Sequence, residues 1–87
     1  MKELWKRRWS KVQSPDKALS LLNRQCKAMG DDWSIVIYWN QVVGWEVALY
    51  RVGGTAEMSR CTNKSLVQAT MGAACAVLDD PISGVID

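Results

Sequence analysis

Apolar residues recur every three to four positions over 15–30, switch to strict alternation over 33–40 and again over 45–52, and return to helical spacing after Ser65. This change of period constrains the chain more than any other feature, because a 3.6-residue period suits a helix face and a two-residue period a strand. Ser14-Pro15-Asp16 opens the first long helix: Ser14 caps, Pro15 suits the first helical position and Asp16 complements the positive dipole end. Ala18, Leu21, Leu22, Cys26 and Met29 mark its buried stripe, and Gly30 stops it. Trp33–Asn40 and Trp45–Val52 read as strands joined by Gln41–Gly44, and Gly53-Gly54 turns the chain into a third strand near Thr55–Cys61. Asn63 or Ser65 opens the last, Ala-rich helix, and Ser65 and Gln68 fit a reciprocal capping box there. Leu66, Ala69, Ala73, Ala76 and Val77 share that helix's inner face, and Asp79-Asp80-Pro81 ends it.

Upstream, residues 2–12 form a short amphipathic helix. Leu4, Trp5, Trp9 and Val12 share one side and Lys2, Lys6, Arg7 and Lys11 the other, with Arg8 at the border. The expected fold is α+β: a two-layer α-β-β-β-α domain over 14–80, a three-stranded antiparallel meander packed by two helices. A basic arm over 1–13 precedes it and an irregular tail over 81–87 follows. Both helices are expected to cover the sheet face formed by Trp33, Ile35, Ile37, Trp39, Val47 and Leu49. The opposite face, with Val36, Tyr38, Ala48 and Tyr50, then forms an apolar–aromatic patch, open to a partner or covered by the arm through Trp5 and Trp9.

Composition narrows the function classes. There is no histidine among 87 residues, which removes the commonest general base and zinc ligand. Cys26, Cys61 and Cys75 are odd in number, without a C-x-x-C pair, and read as free thiols of a reducing cytoplasm. Gly53-Gly54 lacks the context of a nucleotide-binding loop, and the acidic pairs Asp31-Asp32 and Asp79-Asp80 read as solvated connections. The expectation is a non-enzymatic protein with no cofactor and no metal. No apolar run reaches the ~18–20 residues of a membrane span, and no secretory signal is present, so a cytoplasmic, non-membrane protein is expected.

Charge is uneven. Residues 1–13 hold five Lys/Arg against one Glu, a net +4, whereas 14–87 net −2. Trp and Arg are residues of binding hot spots. Trp5, Arg7, Arg8, Trp9 and Lys11 of the arm, with Tyr38 and Tyr50 of the outer sheet face, are therefore the candidate partner contacts. For Trp5 and Trp9 the other reading is that they staple the arm to the domain.

Two resemblances bear on this. Lys17-Ala18-Leu19-Ser20-Leu21-Leu22-Asn23, Trp45–Gly54 and Asn63-Lys64-Ser65 with Ala69, Ala73 and Ala74 resemble, in order and text, the double-stranded RNA-binding domain over about residues 15–78. That resemblance implies a helix–three strands–helix fold and phosphate contacts from Lys64, to which the arm adds Lys6, Arg7, Arg8 and Lys11. The family's lysine cluster is otherwise missing, and its histidine loop is replaced by Gln41–Gly44. Trp33 and Trp39, Gly44-Trp45-Glu46-Val47 and the Ser65-Leu66 helix start look like small accessory proteins of bacteriophages and prophages, anti-CRISPR inhibitors among them. This second resemblance implies a binder that modulates or inhibits a host protein or ribonucleoprotein complex. Nucleic-acid binding through the basic arm and self-association as a structural homodimer are the alternative readings.

Overall fold

The computed structural model describes residues 2–30, 32–51 and 57–79. Its elements are α1 (Lys2–Trp9), α2 (Pro15–Met29), β1 (Trp33–Asn40), β2 (Gly44–Arg51), β3 (Glu57–Asn63) and α3 (Leu66–Leu78). The sheet is an antiparallel meander in the order β1-β2-β3. The α+β class and the strand order agree with the sequence reading. The Gly53-Gly54 turn, the start of the third strand at Thr55 and the 81–87 tail lie outside the described residues.

Local chemistry explains the boundaries. Ser14 Oγ accepts from Lys17 N–H at 3.4 Å, and Gly30 leaves α2 at a φ of 135° that disfavours a side chain. Ser65 Oγ likewise accepts from Gln68 N–H at 3.3 Å. The reciprocal half of the expected capping box is replaced, because Ser65 N–H donates to Asn63 Oδ1 at 2.9 Å. An Asx turn thus does the work assigned to Gln68. At Gly44, φ is 95° and a Cβ would press on the backbone of Asn63 and Lys64, so the β1–β2 turn and the start of α3 meet closely there.

The helical layer differs from the expected one in two respects. α3 lies directly on β3 and β2, while α2 packs on α3. The helix-side face of β1 is consequently only half covered: Trp33, Ile35 and Ile37 are half-buried, and Trp39, expected in the core, is 51% exposed. A cleft of about 180 Å³ runs between α2 and β1, lined by Asn23, Cys26, Lys27, Gly30, Trp33 and Ile35. The second difference is α1. It packs against α2 and α3, and Trp5 and Trp9 join the core. The arm therefore does not cover the outer sheet face, and it belongs to the same hydrophobic unit as the rest.

The close seating of α3 depends on Gly72. A Cβ there would overlap Cys61 Sγ on β3 and crowd its Cβ at 3.1 Å. Gly72→Ala in a helix otherwise gains about 1 kcal/mol. Here overpacking of about 1–3 kcal/mol opposes it. The expected outcome in urea denaturation is a variant about 1 kcal/mol less stable than wild type, with part of the loss recovered on a Cys61→Ala background.

Candidate functional site

The surface that stands out lies between α1 and α2. Arg8 and Lys11 from the first helix and its turn face Lys17 and Arg24 of the second, across a groove of about 520 Å³ floored by Val12 and Leu21. Helical spacing places Lys17, Ser20 and Arg24 on one exposed stripe of α2, while Trp9 pins α1 beside it. No carboxylate lines the groove. None of the four cations is in an ion pair among the described residues, and Arg8 instead stacks on the Trp5 ring at 4.7 Å.

Three other basic side chains are engaged in ion pairs, whereas Lys27, on the α2–β1 cleft, is in none among the described residues. Lys6 pairs with Asp79, Arg51 with Asp32, and Arg60 with Glu46 and Glu57. The Lys6 ion pair has a structural role. Asp79 follows the last turn of α3, where a carboxylate opposes the helix dipole, and the Lys6 ammonium offsets it. The hydrogen bond between them holds the Asp79 carboxyl below its ordinary range and Lys6 above its own. Charge is therefore segregated more sharply than the 1–13 boundary suggested. Residues 1–30 carry eight Lys/Arg against Glu3 and Asp16, a net +6, and residues 31–87 carry three against seven acids, a net −4.

The sequence-predicted contact residues are distributed unequally. Arg8 and Lys11 line the groove, and Arg7 is exposed on α1 outside it. Trp9 is 0% exposed and Trp5 is buried, so neither presents a surface to a partner; the staple reading describes them, because their indoles fill the space between helices. Lys6 is taken by Asp79. Lys64 donates to Val42 O at 3.2 Å and lies 6.0 Å from the Trp39 ring, away from the groove lining. Lys17 and Arg24 were missed. The signal was present in their i, i+7 spacing on α2, but only the packing of α1 shows which cations share a groove.

The outer sheet face is less open than expected. Ala48, between Val36 and Arg60 in the strand register, is fully buried. The Arg60 guanidinium donates to the Tyr38 hydroxyl at 2.9 Å, to Glu46 at 3.1 Å and to Glu57 at 2.8–3.0 Å, and Tyr50 Oη donates to Glu57 at 3.2 Å. Tyr38 and Tyr50 thus serve as arms of an ion-pair network. Arg60 holds the Glu57 carboxyl below its ordinary value of 4.5. A depressed carboxylate contributes stability above its unfolded pKa and loses it as pH falls through the folded one. The Glu57 contribution is therefore present above about pH 4.5 and is lost progressively as pH falls from there through the lower, folded value. Carbon NMR titration of Glu57 is expected to show an upward move toward 4.5 in Arg60→Ala; an unchanged midpoint would dissociate the two.

Buried polar groups inside the fold are structural. Gln25, fully buried, accepts from Trp9 Nε1–H at 2.7 Å and donates to Ala74 O at 3.1 Å, tying all three helices. Ser59 Oγ donates to Ala73 O at 2.9 Å and ties β3 to α3. The cysteines are free, and burial pushes the Cys26 thiol up to about 11 and raises Cys75. Among the described residues no group of three or more Cys, Asp or Glu could hold a metal ion, and no helix is long and apolar enough to cross a membrane. No protein-family model matches the chain, and no curated protein or solved structure shows significant similarity to it.

Proposed function

We propose that this chain is a small non-catalytic binding protein, of the kind phages and mobile elements encode, that modulates or inhibits an acidic host macromolecular complex. The observation that carries this reading is the α1–α2 groove, where Arg8, Lys11, Lys17 and Arg24 converge without an ion pair. Like charges gathered on one face repel one another and weaken the fold slightly, and a polyanionic partner relieves that repulsion. The apolar floor of Val12 and Leu21 gives such a partner something to bury. A ribonucleoprotein or an acidic protein of the host cytoplasm fits both features, and the protein would need no cofactor to act on it.

A second reading, direct nucleic-acid binding, draws on the same cations. It needs the groove alone, since Lys64 is engaged elsewhere. Nuclease treatment and a defined duplex separate the two. Four phosphate contacts on a duplex give a log–log salt slope near −3.6, so affinity drops about 100-fold between 50 and 200 mM salt. The test is capture from host lysate at 150 mM salt, with and without nuclease, followed by titration of the purified partner. A stoichiometric protein partner that survives nuclease supports the first reading. Loss of every partner on nuclease treatment, with a 20-bp RNA or DNA duplex bound at the steep slope, replaces it with the second. Capture of neither, with no duplex binding, ends both.

A further inference from the structure

The two outer strands of the sheet are unlike each other. β3 carries Glu57 and Arg60, and its pairing with β2 is interrupted by a register shift at Leu49/Tyr50. Charges and bulges of this kind keep edge strands from pairing with other chains. β1 has neither. Its eight residues, Trp33-Ser34-Ile35-Val36-Ile37-Tyr38-Trp39-Asn40, include no charge and no proline, and all eight pair with β2 in one unbroken register. Among the described residues no strand lies on its free edge. The same strand has the incompletely covered apolar face, with Trp33, Ile35 and Ile37 half-buried and Trp39 about half exposed.

We propose that the free edge of β1 pairs antiparallel with β1 of a second copy of this chain, forming a two-fold dimer with a continuous six-stranded sheet. An antiparallel ladder sets residues directly opposite each other on the same face. Centring the two-fold on Val36 places Ile35 opposite Ile37 of the second copy, Trp33 opposite its Trp39, and Ser34 opposite its Tyr38. Every helix-side pair is then apolar with apolar, and the strand, being uncharged, brings no like charges together. A second copy fits this edge better than a charged partner does, because β1 offers nothing to pair with charge. The exposed parts of Trp39, Tyr38 and Val36 amount to on the order of 200 Å² per copy, which puts the dimer at the small, concentration-dependent end of interfaces. A two-fold axis perpendicular to the sheet keeps both helical layers on one side. Both cationic grooves then belong to one face of the dimer.

Sedimentation velocity of the full chain from 5 to 500 µM tests this. The expected result is a monomer–dimer equilibrium that Val36→Lys shifts at least tenfold toward monomer while circular dichroism is unchanged; Val36 is 40% exposed, so the fold tolerates the lysine. Hydrogen exchange gives a second readout that needs no variant: alternate β1 amides become slower as concentration rises. A wild-type chain that stays monomeric throughout overturns the proposal. So does a dimer that Val36→Lys leaves intact, or β1 amides equally protected at every dilution, which would give the edge to a segment of the same molecule. None of these outcomes depends on the groove binding any partner.

Discussion

Trp9→Ala is expected to cost about 4–8 kcal/mol in urea denaturation, enough to unfold much of the population at 25 °C. Removing a fully buried tryptophan costs about 3–5 kcal/mol through lost burial and the cavity left behind. Trp9 is fully buried, and its indole N–H is one of Gln25's hydrogen-bond partners. The variant leaves the Gln25 carbonyl buried without that donor, a further penalty of about 1–3 kcal/mol. A domain of this size has a total stability near the low end of about 5–15 kcal/mol, so little remains. Trp9→Phe keeps most of the volume and isolates the hydrogen bond, with an expected loss of about 1–3 kcal/mol. Deleting residues 1–13 should be at least as damaging as Trp9→Ala. A loss below 1 kcal/mol in Trp9→Ala would mean that α1 is a detachable arm and that its packing on α2 and α3 is not part of the cooperative unit.

Charge reversal in the groove is the second large effect. Arg8→Glu with Arg24→Glu is expected to weaken partner binding at least ~100-fold, which corresponds to ~2.7 kcal/mol. Two attractions are lost and two like-charge oppositions created, each unfavourable and together worth several kcal/mol. Folding should be nearly unaffected, since Arg24 has no ion-pair partner among the described residues and Arg8 gives up only a surface stacking contact worth about 0.5–1 kcal/mol. Arg7→Glu is the comparison. Arg7 is equally basic and lies on the same helix, but outside the groove. A loss of less than about fivefold is expected from the long-range field alone. Equal losses from Arg7→Glu and from the groove pair, measured by titration calorimetry at 150 mM salt, would show that total charge and not the groove directs binding.

These two experiments divide along the line between what was legible in the sequence and what was not. The order of periods places α2, the first two strands and α3, because burial of one face imposes 3.6-residue and two-residue repeats directly on the text, while the third strand is placed only by the Gly53-Gly54 turn before it. Ser14, Gly30 and Ser65 mark helix ends because unsatisfied backbone groups there need a specific side chain or a specific φ, which is local chemistry. The free charge of the N-terminal region was also visible as composition. Tertiary structure decided the rest. Whether Trp5 and Trp9 face a partner or the core is a question of what packs beside them, and an amphipathic stripe looks the same in either case. That Lys17 and Arg24 join Arg8 and Lys11, that Lys6 is consumed by Asp79 and Lys64 by the β1–β2 turn, and that Arg60 gathers the outer-face tyrosines are all long-range juxtapositions. So is the half-covered face of β1. Its alternation predicts one buried side and carries no information on how far the helices reach across the sheet; α3 sits on β3 and β2, where Gly72 meets Cys61, and β1 is left half covered. Period, caps and net charge are properties of neighbours along the chain; the groove and the open edge arise between residues that only the fold brings together.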